Sequence, residues 1–200
     1  RSLELWIDEM KDFKDYLEKR LDVKITDEKL KETIEIFNEE RDVLNKLMDL
    51  AKLDPSPISG SEMHQVLFAS DFIYDKEEKI KMLCSYIEAL KQKDMSKAKH
   101  KKRIIITGCP SGGVYEKVIK QIEELGADVV AFENCTGTKN LKNNISTQGD
   151  LIENIAKRYL KIPCSVMYKN DARSDVIKNF IAEYKADGVI DIVLSGCHTY

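Results

Sequence analysis

The chain has 200 residues, of which 42% are hydrophobic and 34% charged, and its formal net charge is −3. This composition indicates a globular protein with exposed helices, and it argues against nucleic acid or an anionic membrane as partner, because both attract basic patches. With neither a signal peptide nor an apolar run of about 20 residues, a cytoplasmic protein is predicted. The chain begins with Arg1 and ends at Tyr200 just after a strand-like run, so we expect a fragment of a longer protein.

The first half of the sequence, residues 1–98, predicts a helical linker or scaffold segment. Apolar residues recur at helical spacing from Trp6 to Leu17, which places them on one face of a helix. Residues suited to cap a helix N-terminus precede three later apolar runs: Thr26, Ser59 and Asp75. We therefore predict four helices in this half, the second of them ending near Leu53.

The second half, residues 99–200, predicts an α/β domain. Short β-branched or apolar runs predict strands at residues 103–107, 128–132, 164–167 and 189–194. Amphipathic runs predict helices at residues 114–125, 150–160 and 172–184. Strands that alternate with helices of this length are typical of a parallel, doubly wound sheet. The expected fold is an α/β domain of about four strands, truncated at its C-terminus and preceded by the all-helical segment.

Four of the five cysteines lie close to predicted strands. Cys109, Cys135 and Cys197 follow the first, second and fourth strands, and Cys164 lies at the start of the third. Ligands of open parallel sheets bind beyond the carboxyl ends of the strands, so these thiols are expected to share one edge of the sheet. An odd number of cysteines without a signal peptide favours reduced thiols. Several thiolates without paired histidines favour an iron–sulfur cluster, with zinc as the alternative.

Other interpretations of these residues remain open. Cys84 lies within a predicted helix and has the pattern of a small buried hydrophobic residue. The loop 108–113, with Gly112 and Gly113, either cradles a phosphate or CoA diphosphate or is only a tight turn, and it lacks the lysine of a P-loop. If the loop does cradle a phosphate, the chain would be a non-catalytic nucleotide- or CoA-binding module. His198 could hydrogen-bond a cluster or substrate, or only cap the sheet edge.

Two charged residues also lie at the ends of predicted strands. Glu133 follows the second strand, and Asp191 lies within the fourth. Charged strand ends are common, so the sequence assigns a catalytic role to neither residue.

Several pieces of the sequence resemble a known family. They are PISGSE at 57–62, ITGCPSGG at 106–113, VVAFENCTG at 129–137, YLKIPCS at 159–165 and DGVIDIVLSGCHTY at 187–200. In this order and spacing they resemble the D-component family of 2-hydroxyglutaryl-CoA dehydratase, which includes benzoyl-CoA reductase subunits and double-cubane cluster proteins. The resemblance covers nearly the whole chain, including its helical half.

The resemblance implies a larger protein of two flavodoxin-like domains with an iron–sulfur cluster between them, either [4Fe–4S] or double-cubane. It implies Cys197 as the cluster ligand of this domain, and Cys109, Cys135 and Cys164 match the extra cysteines of the double-cubane branch. An ATP-dependent activator iron–sulfur protein would supply low-potential electrons, and the substrate would be an acyl-CoA or a small molecule.

The same resemblance implies that the parent protein is a lyase or reductase. We expect it to act as a homo- or heterodimer. The fragment alone, purified in air, is expected to be inactive and to carry no intact cluster.

Overall fold

The fold is seen in a computed structural model that describes residues 1–112, 115–135, 137–167 and 170–196, with only the backbone of Asn140. The helices are α1 (Ser2–Leu21), α2 (Asp27–Asp49), α3 (Gly60–Ser70), α4 (Lys76–Lys91), α5 (Gln121–Glu124), α6 (Leu151–Leu160) and α7 (Asp171–Glu183). The strands are β1 (Lys102–Gly108), β2 (Ala127–Glu133) and β3 (Gly188–Ile192). The described residues also form the 3₁₀ turns Leu50–Lys52 and Thr138–Asn140 and the π-helical turn Tyr115–Lys120.

The predicted caps of the helical half are confirmed. The Ser59 side chain accepts a hydrogen bond from the backbone of Glu62, whose carboxylate accepts one from the backbone of Ser59 in return. Asp75 accepts from the Glu78 backbone N–H at 3.0 Å, and Thr26 accepts from that of Lys29 at 3.3 Å. Each cap satisfies an N–H group that the first turn of a helix leaves without an intrahelical acceptor.

The chain forms two compact units. The first consists of residues 1–41 and 143–162, and the second of residues 42–142 and 163–200. The predicted division into a helical segment 1–98 and an α/β domain 99–200 stays a prediction.

In the first unit, α1 packs against α6, and no residue of α1 is buried, although all of them are described. Asn38 fastens a loop to α2, because its side-chain amide donates to the Ile145 carbonyl oxygen at 2.8 Å and accepts from the Ile145 N–H at 2.9 Å. Across the described part of the chain, every helix is too short or too polar to span a bilayer.

The second unit is built on a parallel sheet of the order β2-β1-β3. The central strand β1 is buried among apolar neighbours, and Ile105 and Ile106 are both 0% exposed. Thr107 of β1 pairs with Glu133 of β2 and with Asp191 of β3, so these three residues lie side by side at the carboxyl end of the sheet. The predicted α/β, flavodoxin-like fold with a parallel sheet is confirmed.

One predicted strand in this half was wrong. Residues 164–167 form a turn instead of a strand, and the Met167 N–H donates to the Cys164 carbonyl oxygen at 3.0 Å. Val166 and Met167 are exposed, so this short run has no buried face that would hold it in a sheet. The predicted helix 114–125 is present as the π-helical turn Tyr115–Lys120 followed directly by the short α5.

Candidate functional site

Cys109 and Cys135 lie beyond the same edge of the sheet, which we call the carboxyl edge. Cys109 follows β1 directly and is 2% exposed, and its backbone N–H donates to the Ile192 carbonyl oxygen in β3 at 2.7 Å. Cys135 lies two residues after β2 and is exposed, and both cysteines have free thiols. Because β1 and β2 are hydrogen-bonded neighbours, the topology brings the segments of these two predicted ligands together.

Cys164 lies in the loop that leads into α7. It is half-buried with a free thiol, and its carbonyl oxygen accepts a hydrogen bond from the Asn170 side chain at 2.6 Å. Asn170 directly precedes α7, whose first turn reaches the carboxyl edge through Arg173. The turn thus ties Cys164 to the N-terminus of α7 and not to a strand of the sheet.

The other predicted site residues are described only in part. Gly112 is half-buried, and a Cβ placed on it would lie 3.2 Å from the Phe68 ring. Gly113, Cys197 and His198 lie outside the described residues. Where side chains are described, no three His, Cys, Asp or Glu residues gather as metal ligands. The free thiols next to the carboxyl edge suit the chemistry of an iron–sulfur site, but the described donors do not complete one.

A buried ionic cluster at the carboxyl edge was missed by the sequence analysis. This Glu133 cluster consists of Thr107, Glu133, Lys139 and Arg173. The Thr107 hydroxyl donates to Glu133 Oε2 at 2.5 Å and accepts from Arg173 Nη2 at 2.9 Å. Arg173 Nε donates to the same Glu133 oxygen at 3.3 Å, and Lys139 Nζ lies 3.6 Å from Glu133 Oε1. Glu133 is 0% exposed, so its charge is balanced inside the protein and not by water.

A second buried contact joins the loops after β1 and β2. The Asn134 side-chain amide donates to Ser111 Oγ at 2.7 Å and to the Cys109 carbonyl oxygen at 3.4 Å. Asn134 and Ser111 are both 0% exposed. Because Asn134 directly precedes Cys135, this amide connects the backbone of one predicted ligand to that of the other.

His64 of α3 packs beside these loops in an aromatic cluster. Its imidazole stacks on Tyr115 at a centroid distance of 5.6 Å and lies 5.7 Å from the ring of Phe132, the residue before Glu133. The side chain is 3% exposed, and burial lowers the pKa of His64 below its ordinary value of 6.5. The folded protein therefore favours the neutral imidazole.

Acidification is expected to destabilise the second unit through His64. The pKa of His64 is lower in the folded than in the unfolded state. Neutral His64 therefore contributes fully to the free energy of unfolding above about pH 6.5, and this contribution declines as the pH falls towards the folded-state pKa. Urea unfolding at about pH 7.5 and about pH 5.5 measures this effect. Between the two pH values, the free energy of unfolding should fall more for the wild type than for His64→Phe, whose side chain cannot titrate. Equal losses in both proteins would contradict this assignment.

A parallel sheet with free cysteines beyond the ends of neighbouring strands defines an α/β protein with a candidate thiolate site. The chain belongs to the family described as 2-hydroxyglutaryl-CoA dehydratase, D-component, whose model matches residues 1–200. The resemblance seen in the sequence is thereby confirmed, and the chain is a member of a family of enzymes.

Three curated relatives are similar over most of the chain. YjiM of Escherichia coli (strain K12), named as a dehydratase subunit, is 37% identical over 100% of this chain and 52% of its own length. The (R)-phenyllactyl-CoA dehydratase beta subunit of Clostridium sporogenes is 28% identical over 90% of this chain and 48% of its own length. A benzoyl-CoA reductase subunit of Thauera aromatica is 26% identical over 94% of this chain and 50% of its own length. The chain thus spans about half the length of these relatives.

Proposed function

We propose that this chain is the cluster-carrying part of a 2-hydroxyacyl-CoA dehydratase-type lyase or reductase. The observation that carries the proposal is the placement of Cys109 and Cys135, with free thiols, after neighbouring parallel strands in a member of this family. Cys135 and Cys197, with Cys109 and Cys164, would hold a [4Fe–4S] or double-cubane cluster. Such a cluster supplies low-potential electrons for an acyl-CoA or small-molecule substrate.

The residues of this chain would bind and shield the cluster. Cys135 is exposed and accessible to iron, whereas Cys109 is buried beside β3 and would restrict the access of water. Gly112, Gly113 and His198 are proposed to lie against the cluster or substrate. Exclusion of water and hydrogen bonds to cluster sulfurs are the means by which a protein sets a low potential.

The proposed partners follow from the family. All three relatives are named as subunits, two of a dehydratase and one of a reductase, which supports assembly of the whole protein with a further polypeptide. An ATP-dependent activator iron–sulfur protein would deliver the electrons. The chain alone is proposed to be inactive, because the relatives are about twice its length.

Replacement of the proposed ligands is expected to abolish cluster binding. In the full-length protein reconstituted anaerobically with iron and sulfide, Cys135→Ser and Cys197→Ser should lose most of the bound iron and the visible absorption, because serine is a poor ligand for these clusters. Cys84→Ser is the matched control, since Cys84 is an exposed cysteine of α4. It should retain wild-type iron content.

Three other outcomes would contradict the proposal in different ways. Full iron content in both ligand variants would mean that these cysteines do not bind the cluster. Zinc in place of iron after anaerobic purification would favour the zinc site. Unchanged activity of both variants would favour a nucleotide- or CoA-binding module in which the thiols are dispensable.

A further inference from the structure

The Glu133 cluster joins four chain segments, each of which precedes or follows a proposed iron–sulfur ligand in the sequence. Thr107 lies two residues before Cys109, and Glu133 lies two residues before Cys135. Lys139 lies in the 3₁₀ turn that follows Cys135, and Arg173 lies in the first turn of α7, after the loop that contains Cys164. One buried carboxylate therefore fixes the ends of β1 and β2 and the N-terminus of α7 at the same point.

The Glu133 cluster is expected to position chain segments more than to stabilise the fold. Glu133 is 0% exposed and Lys139 is 4% exposed, so both charges are removed from water. Within the described residues, Glu133 Oε1 has no hydrogen-bond donor, and Lys139 Nζ lies 3.6 Å from it. Buried ion pairs are often no more stabilising than apolar residues of the same volume, and their best-attested role is to specify one arrangement of segments.

Arg173 provides the geometric specificity of the cluster. Its Nε and Nη2 atoms contact two strands, the first at Glu133 Oε2 and the second at Thr107 Oγ1. A planar guanidinium holds two acceptors in a fixed relation, which a lysine ammonium does not. The Asn134 side chain has a similar effect. Its hydrogen bonds to Ser111 and to the Cys109 carbonyl oxygen join the loop after β2 to the loop after β1.

We propose that Glu133 is a positioning residue that, through Thr107, Lys139 and Arg173, holds the segments of Cys109, Cys135 and Cys164 at one edge before a cluster is bound. This inference rests on the proposed function for the identity of the bound group. The preorganisation itself is a property of the apoprotein, and it reduces the ordering that ligands must undergo when metal binds. Glu133→Gln keeps the shape of the side chain and removes the charge that holds both cations.

The test is thiol labelling of the full-length apoprotein, followed by reconstitution. Maleimide labelling resolved by peptide mass spectrometry should show Cys109, which is 2% exposed, reacting about tenfold faster in Glu133→Gln than in the wild type. Cys84 is already exposed and should react at an unchanged rate. Iron content after anaerobic reconstitution should fall in Glu133→Gln. It should remain at the wild-type level in Glu153→Gln, which removes only an exposed pair with Lys157.

The outcomes separate this inference from the proposed function. If the wild type binds no cluster, the proposed function fails, and the Cys109 labelling rate alone decides whether Glu133 positions the segment. If Cys109 reacts at the wild-type rate in Glu133→Gln, the positioning role is overturned. A parallel rise at Cys84 would also overturn it, because the variant would then have loosened the whole protein.

A second variant keeps the test decisive if Glu133→Gln does not fold. Arg173→Lys retains the charge and loses the planar, two-atom contact with Glu133 and Thr107. It should give faster Cys109 labelling and lower iron content while the urea midpoint stays close to that of the wild type. Wild-type labelling and iron content in Arg173→Lys would overturn the proposal.

Discussion

Arg103→Met is expected to lower the free energy of unfolding of the second unit by about 3–5 kcal/mol. Arg103 is 2% exposed, and its guanidinium donates to three backbone carbonyl oxygens: Ala51 at 2.5 Å, Leu53 at 3.1 Å and Tyr184 at 2.7 Å. Each buried acceptor that loses its donor costs about 1–3 kcal/mol, and methionine offers no replacement. The residue thus joins the segment after α2 to the segment after α7.

The matched control is the neighbouring cation, Lys102. Its side chain is 77% exposed and pairs with Asp187 at 2.6 Å. An exposed ion pair of this kind contributes about 0–1 kcal/mol, so Lys102→Met should change stability little. Urea unfolding followed by circular dichroism gives both values. If the two variants unfold at the same urea concentration, the buried guanidinium is not the structural anchor inferred here.

Gly108→Ala is expected to be the second most damaging change, at about 3 kcal/mol or more. Gly108 ends β1 with φ of +100°, a conformation that favours glycine. A Cβ at this position would collide with the Ile192 carbonyl oxygen and with Asp191 Oδ1 of β3. The alanine variant must therefore separate β1 from β3 at the point where the Cys109 N–H bonds to Ile192.

Gly126→Ala distinguishes the cost of a positive φ from the cost of the collision with β3. Gly126 has a similar φ of +93°, but a Cβ there would meet nothing within 4 Å. Its alanine variant should cost about 1–2 kcal/mol, the cost of the backbone conformation alone. The difference between the two variants measures the close approach of β1 and β3. Equal losses in thermal or urea unfolding would show that this approach contributes nothing.

Helix starts were predictable because their causes are local. Ser59, Asp75 and Thr26 each accept a hydrogen bond from a backbone N–H three residues later, so both partners lie within one short stretch of sequence. Apolar residues of α2, among them Ile34 and Leu44, are buried. Local hydrogen bonds and helical periodicity do not depend on the rest of the fold.

Interior positions were harder to predict because burial is a tertiary property. Phe37 of α2 is apolar yet 39% exposed, while Arg41 of the same helix is charged yet only 7% exposed. The run 164–167 has apolar residues but forms a turn, because no strand of the described residues pairs with it. The pattern of apolar residues alone does not distinguish these cases.

The sequence by itself determined the parallel α/β fold, the helix caps and the position of Cys109 and Cys135 after neighbouring strands. Spacing of whole strand–helix units is enough to place such residues at one edge of a parallel sheet. Only the tertiary structure decided that Glu133 is buried against Thr107, Arg173 and Lys139, and that Arg103 is an internal anchor. Apart from the pair of Glu133 with Lys139, these contacts join residues 26 to 81 positions apart in the chain, so they depend on strand register and helix packing.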